Sequence, residues 1–385
     1  MRLQDICEIN PRIPRIDDDT EVSFVPMTSV SEDGEIDTSD IRPYIDVKKG
    51  YTSFKEDDVL FAKITPCMEN GKGAIARGLK NGYGCGSSEF HVLRTKGQVM
   101  PEWIYYLTSW SYFRREAEKH MTGSAGQRRV PKLYLENYEI RLPELSDQEY
   151  QVQTLTHIKE VIDYRKAELV AFEELTKARF VEMFGFPGMD PFKYGKTKLG
   201  SCCEINPKKT KDNRLVDNIE ISFVPMTAVS EKGEIDSSDV RRYEDVKKGF
   251  TYFTEGDVLF AKITPCMENG KGAVAKGLKN RIGFGSTEFH VLRPIDGISN
   301  PYWVYAITSF KSFRKEAESN MTGSAGQRRT PVSFLENYEV ALPPIELQNQ
   351  FADFVVRTGK SKAAVQKSLD ETQVLFDSLM QKYFG

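Results

Sequence analysis

SFVPMTSVSEDGEID at Ser23–Asp37 and SSEFHVLR at Ser87–Arg94 return as SFVPMTAVSEKGEID at Ser222–Asp236 and STEFHVLR at Ser286–Arg293. The stretches they bound are roughly four fifths identical, at a shift of about 199 residues. Outward from them the match continues. ICEINP at Ile6–Pro11 recurs in CCEINP at Cys202–Pro207, MTGSAGQRR at Met121–Arg129 recurs at Met321–Arg329, and LENYEIRLPEL at Leu135–Leu145 becomes LENYEVALPPI at Leu335–Ile345. Solenoids and propellers repeat every roughly 20 to 50 residues, so a period this long makes each copy a whole domain with an appendage. The chain reads as a fused pseudo-dimer.

The two parts of each copy differ in how well they match, and hence in what they do. The second parts read as long helices. From Asp147 to Phe184 there is neither proline nor glycine, and Leu155, Ile158, Ile162, Leu169 and Phe172 step by threes and fours. Phe351, Val355, Val365, Leu369 and Phe376 do the same in the second copy, with Gly359 a weak point. Such a helix is a rod of roughly 57 Å. It could lie on its own domain, but so long an apolar stripe is better covered by the other helix, in an antiparallel coiled coil.

The first parts read as strand-rich. DVLFAKI (Asp58–Ile64 and Asp257–Ile263) and EFHVLR (from Glu89 and Glu288) are strands, and Pro101–His120 is one aromatic-bearing helix, repeated at Pro301–Asn320. Glycine-rich loops separate them: TPCMENGKGA, GLKNGYGCGSS and TGSAGQRR. The expected class is α+β, with two mixed α/β domains separated by two long antiparallel helices, pseudo-twofold symmetric. The boundaries are 1–146, a helix at 147–185, a second domain at 186–345 entered by a linker at 186–196, and a helix at 346–385.

Composition bounds the function. Of 385 residues, 39% are apolar and 28% charged, the balance of an ordinary folded chain. Lys plus Arg number 53 against 56 Asp plus Glu, a net charge of -3, so any contact with nucleic acid must rest on local basic patches. No apolar run approaches the ~18 residues of a membrane span, and MRLQDICEINPRIP lacks an export core. Six cysteines with no C-x-x-C pair point to reduced thiols and a cytoplasmic location, with no zinc site.

Enzyme readings fail in turn. No adenine-methylase N/D-P-P-Y/F is present, since Pro343-Pro344 precedes Ile345. NGKG at Asn70–Gly73 is not a phosphate loop, because Pro66 stands where the first glycine belongs and Gly73 replaces the magnesium-holding hydroxyl. Asp58, Glu69 and Lys72 could compose a nuclease triple, but charge-rich chains offer such triples by chance. His91 and His290, repeat partners on a strand, read as packed residues. No catalytic residue and no metal ligand is assigned.

The loops, by contrast, suit nucleic acid. Lys63, Lys72, Arg77, Arg128 and Arg129, with Lys262, Lys271, Lys276, Arg328 and Arg329, are candidate phosphate contacts. Glu69, Asn70 and Gln127, with Glu268, Asn269 and Gln327, are candidate readers of base edges. Taken alone, the lysines could be a solvated face and Asn70-Gly71 a plain turn. Duplication favours the functional reading: two matching readers tied by antiparallel helices fit the local twofold axes of duplex DNA and an inverted repeat.

ICEINP, DVLFAKITPCMENGKGA, STEFHVLRP, GSAGQRR and LPPIELQNQFADFV, in this order and mostly twice, resemble the specificity (S) subunits of type I restriction-modification systems over essentially the whole chain. The resemblance implies two target-recognition domains alternating with helical regions, and a non-catalytic reader of double-stranded DNA. It also implies partners: two methyltransferase (modification) subunits carrying S-adenosylmethionine, and restriction subunits using ATP and Mg2+, with no cofactor on this chain. A type IIB-like complex would share the DNA reading but not the partner. Members of that family commonly carry dissimilar recognition domains, whereas these are near copies, so the expected target has the same short sequence on opposite strands around a spacer.

Overall fold

Val59, Leu60, Phe61 and Ala62 are all buried, as four consecutive apolar residues must be when a strand is covered on both faces. Val59 and Phe61 pack into a core with Trp103, Ile104 and Phe113, whereas Leu60 faces Val25, Phe54 and Phe90. The DVLFA strand therefore lies between a helical layer and a second sheet. The computed structural model describes residues 1–124, 126–187, 193–209, 213–324 and 326–385. Residues 188–192 of the expected linker, and Ala125 and Ala325 of the two SAGQ loops, lie outside the described residues.

The chain divides into two units, one of Met1–Lys166 with Lys367–Gly385 and one of Ala167–Gln366. In chain order the first contains α1 (Leu3–Ile6), β1 (Cys7–Ile9), β2 (Glu21–Val25), β3 (Ile41–Pro43), α2 (Tyr44–Val47), β4 (Thr52–Lys55), β5 (Val59–Ala62), β6 (Gly73–Ile75), β7 (Tyr83–Gly86) and β8 (Phe90–Thr95). Then come α3 (Pro101–Ser109), α4 (Ser111–Lys119), α5 (Lys132–Asn137) and the start of α6 (Leu145–Phe184). One sheet has the order β1-β8-β5-β6, antiparallel throughout. The other has the order β3-β2-β7-β4, with β2 and β7 parallel.

The second unit repeats both sheets. Its strands are β9 (Lys196–Lys198), β10 (Cys203–Ile205), β11 (Glu220–Val224), β12 (Val240–Arg242), β13 (Thr251–Thr254), β14 (Val258–Ala261), β15 (Gly272–Val274), β16 (Ile282–Gly285), β17 (Phe289–Pro294) and β18 (Glu339–Ala341). The sheet orders are β10-β17-β14-β15 and β12-β11-β16-β13, with β18 and β9 paired separately. The helices are α7 (Tyr243–Val246), α8 (Pro301–Ser309), α9 (Lys311–Ser319), α10 (Val332–Asn337) and α11 (Ile345–Phe384).

Two expectations are corrected. The helix expected over Pro101–His120 is two helices, because Trp110 adopts extended backbone (ψ 127°) and buries its indole, which turns α4 so that Phe113, Arg114 and Ala117 face inward. Phe310 breaks the copy in the same way. GLKNGYGCGSS is not all loop, since Tyr83–Gly86 is strand β7. Its glycines serve packing: a Cβ on Gly84 would stand 2.2 Å from the buried Phe54 ring.

Each long helix has 40 residues, and each unit takes part of both. In the first unit Leu155 is fully buried beside Met380, Phe376, Leu379 and Tyr383, and Arg165 donates to the Ser368 carbonyl at 2.8 Å. In the second, Phe351 packs edge-on against Phe180 and Phe184 at 5.4 and 5.6 Å, and Lys362 pairs with Glu173 at 3.1 Å. In both units rising numbers on α6 meet falling numbers on α11, so the helices run antiparallel. Of the expected packing residues, Leu155, Ile162 and Phe351 are buried, while Ile158, Leu169, Phe172, Val355, Val365, Leu369 and Phe376 are half-buried.

A glutamine anchors each helix to its domain. Gln148 has no exposed surface; its amide nitrogen donates to the Gln98 and Pro143 carbonyls and its oxygen accepts from Met100 N–H at 3.0 Å. Gln348 does the same with Ile298, Pro343 and Asn300. A buried amide with every partner supplied sets the register of the helix on the domain.

Candidate nucleic-acid interface

Strand β5 ends at Ala62, and the chain turns through TPCMENGKG before returning as β6. MTGSAGQRR comes from far along the sequence and docks on that turn. Its arms pair with each other, Thr122 N–H donating to the Arg129 carbonyl at 2.9 Å and Arg129 N–H to the Thr122 carbonyl at 2.8 Å. It then continues the ladder: Thr65 N–H donates to the Arg128 carbonyl at 3.0 Å and Val130 N–H to the Lys63 carbonyl at 2.9 Å. Gly123, at φ +122°, makes the turn possible, since a Cβ there would stand 2.8 Å from the Gln127 carbonyl oxygen.

Carboxylates then orient the cations. Arg129 closes on Glu89, donating from Nε at 2.9 Å and from Nη2 at 2.7 Å, while its Nη1 donates to the Gln127 carbonyl at 3.0 Å. That guanidinium holds the Glu89 carboxyl below its ordinary range. Thr65 donates its hydroxyl to Glu69 Oε1 at 2.9 Å, and Arg128 Nη2 stands 3.3 Å from Glu118 Oε1 and 3.9 Å from Glu69 Oε1. Lys63 is half-buried, and desolvation pushes its ammonium pKa down against the pull of Glu89.

Beneath the loop lies Arg114. Burial pushes its pKa down to about 10, and its Nη1 donates to the Met68 carbonyl at 2.6 Å. Arg314 does the same to Met267 at 2.6 Å and adds the Gly270 carbonyl at 2.9 Å. His91 backs the other side of the cluster. Its Nε2 donates to the Val130 carbonyl at 2.8 Å, which leaves Nδ1 to accept from the Asn10 amide at 3.0 Å, and desolvation lowers its pKa to about 4. Arg114, His91, Glu89 and Glu118 are parts of this site that loop composition did not reveal. The repetition of all four at Arg314, His290, Glu288 and Glu318 was the available signal.

Lys63, Glu69, Arg128 and Arg129 are thus brought together, with Asn70 and Gln127 exposed beside them. Lys72 turns away and donates to the Met27 carbonyl at 3.0 Å. Arg77 lies apart, paired with Asp57 at 3.1 Å and with Glu102. In the second unit Arg329 closes on Glu288 at 2.9 and 2.8 Å, Arg328 stands 3.6 Å from Glu318 and 3.8 Å from Glu268, and Lys271 donates to the Met226 carbonyl at 3.2 Å. Lys262 is half-buried and shifted down like Lys63, while Lys276, Asn269 and Gln327 are exposed. Among the described residues no group of His, Cys, Asp and Glu is gathered to hold a metal, and no helix is long and apolar enough to cross a membrane.

The model of the type I restriction modification DNA specificity domain matches residues 1–173 and again 191–371. The chain belongs to that family. Two Escherichia coli members are similar to it, the type I restriction enzyme EcoAI specificity subunit, 42% identical over 193 residues, and the EcoEI specificity subunit, 37% identical over 187. The matches span 48% and 47% of this chain but only 32% and 31% of those relatives' own length. The fold is shared over the whole chain with a protein solved in a study of assembly and conformational transition of the type I R-M system (TM-score 0.58, 19% identity, 96% of that chain). The type I S subunit from M. genitalium shares it too (TM-score 0.54, 12% identity, 95% of that chain).

Proposed function

We propose that this chain is the DNA-recognition specificity subunit of a type I restriction-modification complex, without catalysis of its own, and that it reads the same short sequence twice, on opposite strands around a spacer. One observation carries the reading: a loop pair rich in Lys, Arg, Asn and Gln is built twice, from identical TPCMENGKG and TGSAGQRR segments and with the same carboxylate, threonine and buried-arginine contacts. Identical side chains in identical settings discriminate identically.

The partners are modification subunits that carry S-adenosylmethionine and methylate the target, and restriction subunits that use ATP and Mg2+. Exposed apolar side chains on the long helices, including Tyr164 at 75% and Val374 at 69%, support docking of other chains there. Mapping methylated positions in the genome that encodes this chain tests the reading. Two identical half-sites in inverted orientation are expected, and two unrelated half-sites, or no methylation dependent on this chain, would overturn it.

A further inference from the structure

We infer that Arg128 and Arg328 are base-reading residues, each recognising one guanine in its half-site; the inference rests on the proposed DNA-recognition role and narrows it. Bidentate recognition of guanine O6 and N7 needs a guanidinium fork that is exposed, held in orientation and still has donors to offer. The structure eliminates the other cations of the cluster one by one. Arg129 has Nε and Nη2 closed on Glu89 and Nη1 on the Gln127 carbonyl. Lys72 is tied to the Met27 carbonyl, and Lys63 is half-buried and carries no guanidinium fork. Arg114 is buried under the loop, and Arg77 is paired away from it.

Arg128 meets the requirement. Its side chain is 38% exposed in the first unit and Arg328 is 38% exposed in the second. Among the described residues its polar side-chain contacts run through Nη2, to Glu118 at 3.3 Å and toward Glu69 at 3.9 Å. Glu118 engages at most one Nη2 hydrogen and Glu69 lies beyond hydrogen-bond distance, so the acids draw the guanidinium to one side while the other Nη2 hydrogen and its neighbour along the same edge of the fork remain to donate as a pair. Glu69 is itself held by the Thr65 hydroxyl, so it buttresses the arginine rather than reaching a base. The interleaved acids also lower the net positive charge of the site, which suits orientation more than general attraction to phosphate.

The test is selection of bound sites from a random duplex library by the full-length chain, alone and with its modification subunits, alongside its affinity for bulk random-sequence DNA. Wild type is expected to enrich a guanine in each half-site. Arg128→Gln should lose discrimination at one position of one half-site by roughly tenfold or more, Arg328→Gln at the mirrored position, with bulk affinity within about twofold and all other positions retained. Glu118→Gln should weaken discrimination at the position that Arg128→Gln abolishes. A uniform loss of affinity with base preferences intact would make Arg128 a phosphate contact and overturn the inference, as would unchanged preferences or loss at a base other than guanine. Absence of sequence preference in the wild-type arm alone would instead sink the underlying function.

Discussion

Glu89 and Arg129 lie 40 residues apart in the sequence and meet in a two-point contact of 2.9 and 2.7 Å that clasps the TGSAGQRR hairpin to the end of the central sheet. The carboxylate sits among the cations of the proposed DNA interface. Its role is to hold shape, and that leads to a result opposite to simple charge arithmetic.

Glu89→Gln removes a negative charge from this surface, yet DNA affinity should fall, because the hairpin loses its clasp and Arg128 its platform. Fluorescence anisotropy on a cognate duplex measures this. Affinity that rises with the lost charge would show that the clasp does not organise the interface.

Asp58 is 1% exposed and accepts from Arg94 at 2.8 and 2.7 Å and from Lys55 N–H at 2.8 Å. Removing one partner of a buried, hydrogen-bonded pair leaves the other charge uncompensated. Asp58→Ala should cost about 3–5 kcal/mol, read as a lowered urea midpoint. A midpoint within error of wild type would contradict this account.

Phe351→Ala should cost about 3–5 kcal/mol, since the ring is fully buried and packs edge-on against Phe180 and Phe184. Limited proteolysis should show earlier cleavage within Ala167–Phe184 and Ile345–Gln366. Unaltered cleavage would mean that the helices are held by other contacts.

His91 has its pKa depressed by burial from 6.5 to about 4, and His290 is depressed as well. The folded state holds these imidazoles neutral, so the unfolded chain binds more protons between those values. Stability should be full above about pH 6.5 and decline as pH falls toward 4, by about 3 kcal/mol for His91. Thermal melts across that window should lose much of their slope in the double variant His91→Gln, His290→Gln. An unchanged slope would assign the acid sensitivity elsewhere.

Local and repeated features were legible before any fold was known. DVLF from Asp58 and FHVLR from Phe90 have strand length and β-type residues, and the proline-free, glycine-free run from Asp147 carries apolar residues at helical spacing. The break at Trp110 was not legible, because nothing in WSYF marks a turn; it arises where the indole finds its pocket. Nor was the strand in GYGCG, whose glycines look like a loop until Phe54 is seen lying across them.

The candidate site divides in the same way. TPCMENGKG and TGSAGQRR were recognisable as paired, glycine-permitted loops carrying cations and amides, and their duplication pointed to two equivalent readers. Which cations remain available depends on Glu89, Glu118, Glu102 and the Met27 carbonyl, distant in sequence from the groups they hold.

The sequence by itself determined the twofold repetition, the existence of two long helices and the residue types offered to a ligand, because periodicity and repeats are properties of order along the chain. Only the tertiary structure decided that Arg129 is spent on Glu89 while Arg128 is held open, since a salt bridge depends on distance in space, and folding brings together carboxylates and guanidiniums that no local pattern relates.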